Sequence, residues 1–192
     1  MQAREVVKVP QIRVGVVIGK NGEIKRRIEE ETKTKVTIDS KEGNVTIEAS
    51  ETTDDPLAVW RARDIVVAIA RGFSPKKSFR LFDEDEAMEV IDLTDFVGRS
   101  ENALKRIRGR IIGENGKARR TIEELTGVNM SVYGRTVSLI GEYDQLTAAK
   151  ESIMLLIHGA QHRTVYRFLY RKSRELKKER LQLWKPVQEA KG

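Results

Sequence analysis

Apolar positions along the chain follow one series of strand and helix patterns, and this series occurs twice. Short apolar or alternating runs predict strands, and apolar residues at helical spacing predict helices. In the first series the strands are 6–9, 35–38 and 44–48, and the helices contain Ile24 with Ile28 and Val59 with Ala62, Val66 and Ile69. In the second series the strands are 89–93, 128–132 and 136–140, and the helices start at Ser100, after Gly116 and at Asp144. This order of elements predicts an α+β protein.

A glycine-framed segment marks the same point of each series. The two segments are Val17-Ile18-Gly19-Lys20-Asn21-Gly22 and Ile111-Ile112-Gly113-Glu114-Asn115-Gly116. The offset of 94 residues persists downstream, where Ile28 falls on Ile122 and Thr32 falls on Thr126. Two copies of one domain account for this pattern. We expect a first domain over 1–73, a linker over 74–86, a second domain over 87–160 and a basic helical extension over 161–192.

Both glycine loops have the chemistry expected of a phosphate-binding site. A helix N-terminus exposes unpaired N–H groups and a partial positive charge, so it attracts a phosphate oxygen. Glycines on both sides of the turn adopt positive φ and carry no Cβ, so a sugar-phosphate backbone can come close. Such contacts position a strand without reading its bases. The candidate RNA-binding residues are Ile18, Gly19, Lys20, Asn21, Gly22, Lys25, Arg26, Arg108, Arg110, Ile112, Gly113, Glu114, Asn115, Gly116, Lys117, Arg119 and Arg120.

A plain helix–helix turn is the alternative interpretation of the same residues. The glycines would then cap a helix, and carboxylates four residues on would neutralise the cations. The pairs concerned are Lys25 with Glu29, Arg26 with Glu30 and Arg119 with Glu123. Duplication of the loop and of the strands that follow it favours the phosphate site. Glu114 is a departure, because it places a carboxylate beside the expected phosphate of the second loop.

The loop and its setting resemble the KH family of single-stranded nucleic-acid binders. The mark of that family is an Ile-Gly-x-x-Gly loop between two helices, followed by two strands and a helix, and both copies carry it. The resemblance implies two tandem type I KH domains, each a three-stranded sheet covered by helices. It also implies that about four nucleotides lie between the loop and the second strand. By position, the groove would be lined by Ile18, Val36, Ile38, Ile112, Met130 and Val132.

The tandem copies, the second loop beginning Arg108-Gly109-Arg110 and the basic extension are similar to one archaeal branch of that family. These are the KH proteins of small-subunit ribosome assembly, the counterparts of the eukaryotic partner-of-Nob pre-rRNA processing factor. The resemblance implies binding of single-stranded RNA near the 3′ end of small-subunit ribosomal RNA. Ribosome-assembly or translation proteins are the expected protein partners, and we expect a monomer. Two other functions stay open, an RNA-binding subunit of an RNA-degrading complex and a protein-interaction scaffold with one or both grooves unused.

Positive charge is concentrated in the predicted last helix. The chain has a formal charge of +7, and residues 161–185 hold nine Lys or Arg against two Glu. We expect this basic face to contact phosphates. The aromatic residues there have two possible roles, stacking on unpaired bases or packing on the domain. The residues concerned are Tyr166, Phe168, Tyr170 and Trp184 for stacking, and Val165, Phe168, Leu169, Leu176 and Leu183 for packing.

The sequence shows no pattern typical of a catalyst, a metal site or a membrane protein. His158 and His162 are the only histidines, and no Cys or paired carboxylate near them completes a metal site. We therefore expect no enzyme activity and no cofactor. The lack of cysteine and of any signal peptide or spanning segment predicts a cytoplasmic protein. Trp60 is expected in the core or between domains, and Asp83–Glu86 in a solvated linker.

Overall fold

The computed structural model describes residues 4–51, 53 and 55–183, without the side chains of residues 182 and 183. Trp184, Lys185 and the side chain of Leu183 therefore lie outside the described part. The strands are β1 (Arg4–Lys8), β2 (Thr34–Asp39), β3 (Asn44–Ala49), β4 (Glu86–Asp92), β5 (Asn129–Tyr133) and β6 (Thr136–Glu142). The helices are α1 (Gln11–Ile18), α2 (Glu23–Thr32), α3 (Ala58–Ala70), α4 (Pro75–Ser78), α5 (Thr94–Val97), α6 (Glu101–Ile112), α7 (Lys117–Thr126), α8 (Tyr143–Ile157) and α9 (His162–Leu183).

Two antiparallel sheets of three strands confirm the predicted α+β class. Their strand orders are β1-β3-β2 and β4-β6-β5, so the last strand of each copy is central. Val45 of β3 lies opposite Val7 and Ile38. In the second sheet, Val137 of β6 lies in the same way opposite Ile91 and Val132. Because alternate strand residues share a face, each row of valine and isoleucine side chains points to the same side of its sheet.

The helices of each copy bury these apolar rows. Ile28 of α2 and Ile65 of α3 are fully buried in the first core, and Ile122 of α7 and Ile153 of α8 are fully buried in the second. Their helical spacing puts one apolar face of each helix on the sheet. Within the described residues, none of the helices is both long and apolar enough to cross a bilayer.

A glutamate on the helix after each loop ties that helix to the edge strand. The Glu29 carboxylate accepts the N–H of Val36 at 2.8 Å, and the Glu123 carboxylate accepts the N–H of Met130 at 2.9 Å. An edge strand leaves half of its N–H groups without a strand partner, and buried donors need one. The two glutamates meet this need at equivalent positions, so the repeat extends to polar contacts.

The segment between the copies is folded. Ser74 begins α4, and a 3-10 turn from Phe79 to Phe82 follows it. Leu81 is buried in the first core together with Ile140 of β6. The apolar residues of this segment contact residues of both copies. They therefore follow neither the helical nor the strand period in the sequence.

The acidic stretch 83–86 is only partly solvated. Asp83, Glu84 and Asp85 are exposed. Glu86 instead begins β4, and its carboxylate accepts a hydrogen bond from Arg80 Nη2 at 2.5 Å. The expectation of a solvated residue is wrong for Glu86, since its side chain is only 12% exposed. The Arg80 guanidinium compensates the negative charge of this partly buried carboxylate.

The second sheet packs its outer face against the first copy. Ser131 Oγ of β5 donates to the carbonyl of Arg71 at 2.8 Å, and Ile140 of β6 is buried in the first core. Arg80 of the connecting segment adds a bond from Nη1 to the carbonyl of Gly127 at 3.0 Å. β6 is consequently buried along nearly its whole length, whereas β3 alternates between buried and partly exposed residues.

α9 covers the second core. Val165 and Leu169 are fully buried, and Ser173 follows them on the same face. Phe168 packs against this core while partly exposed. The predicted packing of Val165, Phe168 and Leu169 is confirmed.

Candidate nucleic-acid interface

The two glycine loops have the same backbone conformation. Gly19 and Gly113 have φ/ψ of 73°/175° and 75°/172°. Gly22 and Gly116 are left-handed, with φ/ψ of 77°/14° and 74°/16°. Asn21 and Asn115 are also left-handed, at 54°/27° and 50°/28°. A positive φ at a residue other than glycine costs free energy, so the structure holds both loops in an uncommon shape.

The first and second glycines of a loop serve different purposes. A Cβ on Gly19 would lie 2.8 Å from Ile24 N, and a Cβ on Gly113 would lie 2.7 Å from Ala118 Cβ. These glycines therefore allow the loop to pack against the helix that follows. A Cβ on Gly22 would meet no atom within 4 Å. Gly22 is required by its φ alone, and the space in front of it is open to a ligand.

The loops lead into helices that lack a side-chain cap. α2 and α7 begin after Gly22 and Gly116, and in neither helix does a side chain accept a hydrogen bond from the first turn. Lys20, Asn21, Glu114 and Asn115 are exposed. The N–H groups of Glu23 and Lys117 donate to the carbonyls of Lys20 and Glu114 within the loops. The helix start therefore offers a phosphate its partial positive charge, beside exposed loop residues.

Each loop carries one cation and one carboxylate, in exchanged positions. In the first copy, Lys20 lies between the glycines and Glu23 is the first residue of α2. In the second copy, Glu114 lies between the glycines and Lys117 is the first residue of α7. All four side chains belong to exposed residues. The departure at Glu114 is thus matched by Glu23 in the first copy, and the two loops have equal charge at these positions.

The neighbouring cations are only partly neutralised. Lys25 Nζ lies 3.8 Å from Glu29, and Arg119 Nε lies 3.3 Å from Glu123. These two predicted pairs are confirmed.

Arg26 does not follow the expected pairing with Glu30. Its Nη2 instead donates to the carbonyl of Asn21 at 2.9 Å and so stabilises the conformation of the first loop. Arg120 is exposed, and its Nη1 lies 3.6 Å from the position of a Cβ on Gly116. Positive charge therefore remains beside both loops.

Arg110 has a structural role that the sequence did not indicate, and its contact with RNA stays a prediction. Its Nε donates to the carbonyl of Leu156 at 2.8 Å, and its Nη2 donates to the carbonyl of Ala160. In the first copy, Arg13 makes the equivalent bonds to Ile69 and Phe73, at 2.9 and 2.5 Å. Carbonyls at a helix end have fewer partners than those inside the helix, and each guanidinium donates to one such carbonyl and to one in the segment that follows.

Arg13 was not singled out by the sequence, because its partners lie more than fifty residues away. Its only local signal is a cation on the helix before the loop. Arg108 differs from both, since it makes a single bond, from Nη1 to the carbonyl of Gly134 at 2.8 Å. Other donors of its guanidinium are left for a ligand.

The predicted groove residues divide into two groups. Ile18 and Ile38 of the first copy are half-buried, as are Ile112 and Val132 of the second. Val36 and Met130 are only 1% and 2% exposed. Assigning Val36 and Met130 to a base-contacting surface is therefore wrong, because the core of each copy covers them completely. Ile38 and Val132 lie two residues further on the same face of the sheet, where the cover is incomplete.

The outer face of α9 is basic and carries an exposed aromatic ring. Tyr170 is 57% exposed. Glu175 is the one carboxylate of this part of the helix face, and its Oε2 lies 3.3 Å from Lys172. The residues that surround Tyr170 on this side are Arg167, Arg171, Arg174, Glu175 and Lys178. The inner face packs on the domain and includes Tyr166, while the outer face keeps its positive charge. Contact of the outer face with RNA stays a prediction.

The histidines take part in backbone contacts. His158 Nδ1 lies 2.7 Å from the carbonyl of Met154, and His162 Nε2 lies 2.8 Å from the carbonyl of Arg110. Over the described residues, no group of His and acidic side chains is arranged to hold a metal ion.

Among the described residues, a clear shift in pKa is found at Asp92. The hydroxyl and N–H of Thr94 donate to its carboxylate at 2.6 and 2.9 Å, and they lower the pKa of Asp92 below its ordinary value. Arg135 and Arg71 act in the same direction, and burial opposes them. The shift arises from the turn that begins α5, so it indicates local structure rather than a binding site.

Family models match both copies. One described as "Eukaryotic type KH-domain (KH-domain type I)" matches residues 87–174, and one described as "KH domain" matches residues 4–59. A KH domain-containing protein of Methanocaldococcus jannaschii is 48% identical over 181 residues, which are 94% of this chain and 79% of that protein.

Solved structures agree with these matches. The crystal structure of Dim2p from Pyrococcus horikoshii OT3 is 52% identical, with a TM-score of 0.82, over 88% of this chain and 99% of that one. A chain of the a/eIF2alpha-aDim2p-rRNA complex from the same organism is 50% identical, with a TM-score of 0.85, over 91% of this chain and 96% of that one. The chain therefore belongs to the family of tandem KH-domain proteins that includes archaeal Dim2p, the counterpart of the eukaryotic partner-of-Nob factor.

Proposed function

We propose that this chain binds single-stranded RNA, without catalysing a reaction, through the glycine loop of each copy. The observation that carries the proposal is the pair of loops with one uncommon backbone conformation, each ahead of a helix without a side-chain cap. Backbone strain of this kind is typical of ligand-binding sites. Both copies keep this conformation although their charged residues differ, which favours a shared binding role over a connecting turn.

The proposed contacts follow from the open side of each loop. A phosphate would lie in front of Gly22 or Gly116, close to the first turn of the next helix. Bases would then reach the half-buried side chains of Ile18 and Ile38, or of Ile112 and Val132. The remaining contact residues proposed here are Gly19, Lys20, Asn21, Lys25, Arg26, Arg108, Gly113, Glu114, Asn115, Lys117, Arg119 and Arg120.

We also propose that both copies bind the same strand. The two loops have equal backbone geometry and equal charge, so no feature of the second loop sets it apart as inactive. A linked second site binds at a high effective concentration, so affinity rises without new contacts. RNA of about eight nucleotides plus a spacer would be preferred, from about four in each groove.

The proposed target is small-subunit ribosomal RNA near its 3′ end, and the proposed role is ribosome assembly in the cytoplasm. Support comes from the Pyrococcus relative that crystallised with rRNA and a/eIF2alpha, because its identity to this chain is 50%. By the same support, translation or ribosome-assembly proteins are the proposed protein partners. The division into domains at 73, 86 and 160 stays a prediction.

The experiment is a titration with three labelled RNAs at one fixed salt concentration. They are a fragment from the 3′ end of small-subunit rRNA, a scrambled strand of the same composition, and the fragment paired with its complement. We expect the single-stranded fragment to bind most tightly. Equal binding of the scrambled strand would contradict the proposed target, and tighter binding of the duplex would contradict the proposed mode.

A further inference from the structure

A cleft between the first copy and the segment that connects the copies has an apolar surface that the protein leaves uncovered. It lies between the start of α3 and the residues that lead into β4, and its volume is about 660 Å³. Leu57 and Trp60 are 50% and 48% exposed, and Leu81 is buried beneath them. We call this the Trp60 cleft. Trp60 was expected in the core or between domains; instead it lies beside the connecting segment, with about half of its side chain facing solvent.

Carboxylates form the rim of the Trp60 cleft. They belong to Asp55, Asp64, Asp83, Glu84 and Glu86. The one cation among the lining residues is Arg61, which lies 3.2 Å from Asp55 and 3.2 Å from Glu84. Arg61 thus joins the two walls through ion pairs. Two cations beside the lining also pair with the rim, since Arg63 Nη2 lies 2.8 Å from Asp64 and Arg80 Nη2 lies 2.5 Å from Glu86. Five carboxylates against three guanidinium groups leave the rim with a surplus of two negative charges, and the exposed Asp83 makes none of the ion pairs of the described residues. This is unusual for a chain with a formal charge of +7.

The charge decides what the cleft can accept. A nucleic-acid strand would bring phosphates against the acidic rim, which repels them. A purely apolar occupant would cover carboxylates that need water or a cation. A cationic side chain meets both requirements, because Lys or Arg lies favourably over the face of a tryptophan ring and pairs with carboxylates at its edge.

We propose that the Trp60 cleft is a docking site for a basic segment of a protein partner. An Arg or Lys of that segment lies over Trp60 between the carboxylates, and an adjacent apolar side chain covers Leu57. An aromatic anchor with a charged rim is the usual arrangement of residues that dominate binding energy at interfaces. This inference does not depend on RNA binding, since the cleft shares none of its lining residues with the glycine loops.

The probe for this proposal is a fluorescein-labelled peptide of sequence Gly-Leu-Arg-Leu-Arg-Gly, titrated against the full chain. We expect saturable binding that weakens as salt is added. Trp60→Ala and the double variant Asp83→Lys, Glu84→Lys should each weaken binding by about tenfold. The matched control Glu124→Lys, Glu151→Lys makes the same change of charge on exposed residues away from the cleft. It should change binding by less than about twofold.

Further probes separate the alternatives. Peptides with glutamate in place of arginine, or serine in place of leucine, should bind weakly. In a Trp184→Phe background, the basic peptide should shift the emission of Trp60, whereas a short RNA should not displace it. Lack of peptide binding, equal loss in the control pair, or displacement by RNA would overturn the proposal. Light scattering that shows dimers broken by Trp60→Ala would instead assign the cleft to a second copy of the chain.

Discussion

The exchanged charges of the glycine loops lead to a prediction for the first copy. The double variant Lys20→Glu, Glu23→Lys gives the first loop the charge order of the second loop, with a carboxylate between the glycines and a lysine at the helix start. If a loop with that charge order can bind a phosphate, the exchanged loop should bind RNA nearly as well as the native loop. The test therefore reports on the second loop without removing it from the protein.

The magnitude follows from the exposure of the side chains involved. Lys20 and Glu23 are both exposed, so the effective dielectric is closer to that of water than to that of the interior. Lys20→Glu alone changes the charge by two units near a phosphate and should cost about 1–2 kcal/mol, or about 5- to 30-fold in affinity. Adding Glu23→Lys restores the summed charge of the first loop, so the RNA affinity of the double variant should stay within about threefold of that of the native protein.

The assay is a fluorescence titration with the single-stranded rRNA fragment at one salt concentration. Glu114→Lys in the native background is the complementary variant, and it should tighten binding by about 5- to 30-fold. The reasoning would be refuted if the double variant were as weak as Lys20→Glu alone. Unchanged affinity in Glu114→Lys would show that the second loop does not meet the phosphates.

Three other predictions concern α9, Arg110 and Asp92. Replacing exposed arginines of α9 with glutamine should lower the slope of log K against log salt by about 0.7 for each phosphate that the helix no longer binds, and an unaltered slope would assign this face to another role. The residues are Arg167, Arg171 and Arg174. Arg110→Met should reduce the free energy of unfolding by about 3 kcal/mol in denaturant titrations, because two carbonyls lose a charged donor. The exposed control Arg106→Met should leave the free energy of unfolding unchanged. A loss of RNA affinity without a loss of stability would instead indicate that Arg110 contacts RNA. The pKa of Asp92 is lower in the folded state, so Asp92 stabilises the fold above its unfolded pKa, and this contribution disappears as the pH falls through the folded pKa. The loss of melting temperature in Thr94→Val should therefore shrink as the pH falls below about 4. A loss that does not depend on pH would contradict the role of Thr94 in lowering the pKa of Asp92.

Local sequence requirements explain which features could be predicted. The glycine loops were found because a positive φ and a close approach to the next helix restrict the residue type at Gly19 and Gly113. The buried face of α9 was found because Val165 and Leu169 are spaced by one helical turn. Both features depend on residues that are close in the chain.

Long-range contacts explain what the sequence did not predict. Arg110 looks like an RNA contact in the sequence because its carbonyl partners, Leu156 and Ala160, lie far along the chain. Trp60 has apolar neighbours in sequence, but the cleft beside it forms only when residues 81–86 pack near α3. The 94-residue offset aligns Glu23 with Lys117, so the exchange of charge could have been found in the sequence. The equal φ and ψ angles of the two loops then show that these positions are equivalent in the structure.

The most direct test of the central claim compares two substitutions of the same glycines. Gly22→Asn, Gly116→Asn and Gly22→Asp, Gly116→Asp have nearly equal shape, and both residue types tolerate the left-handed conformation. A Cβ at 22 meets no atom within 4 Å, so the fold should survive in both.

The two pairs differ only in the carboxylates that face the proposed phosphates. In a titration with the single-stranded rRNA fragment, the Asn pair should stay within about threefold of the native protein. The Asp pair should lose about 1–3 kcal/mol for each disabled loop, with the smaller loss at 116 because Arg120 lies close by. Equal affinity of the Asp and Asn pairs, with native circular dichroism spectra, would contradict RNA binding through the glycine loops.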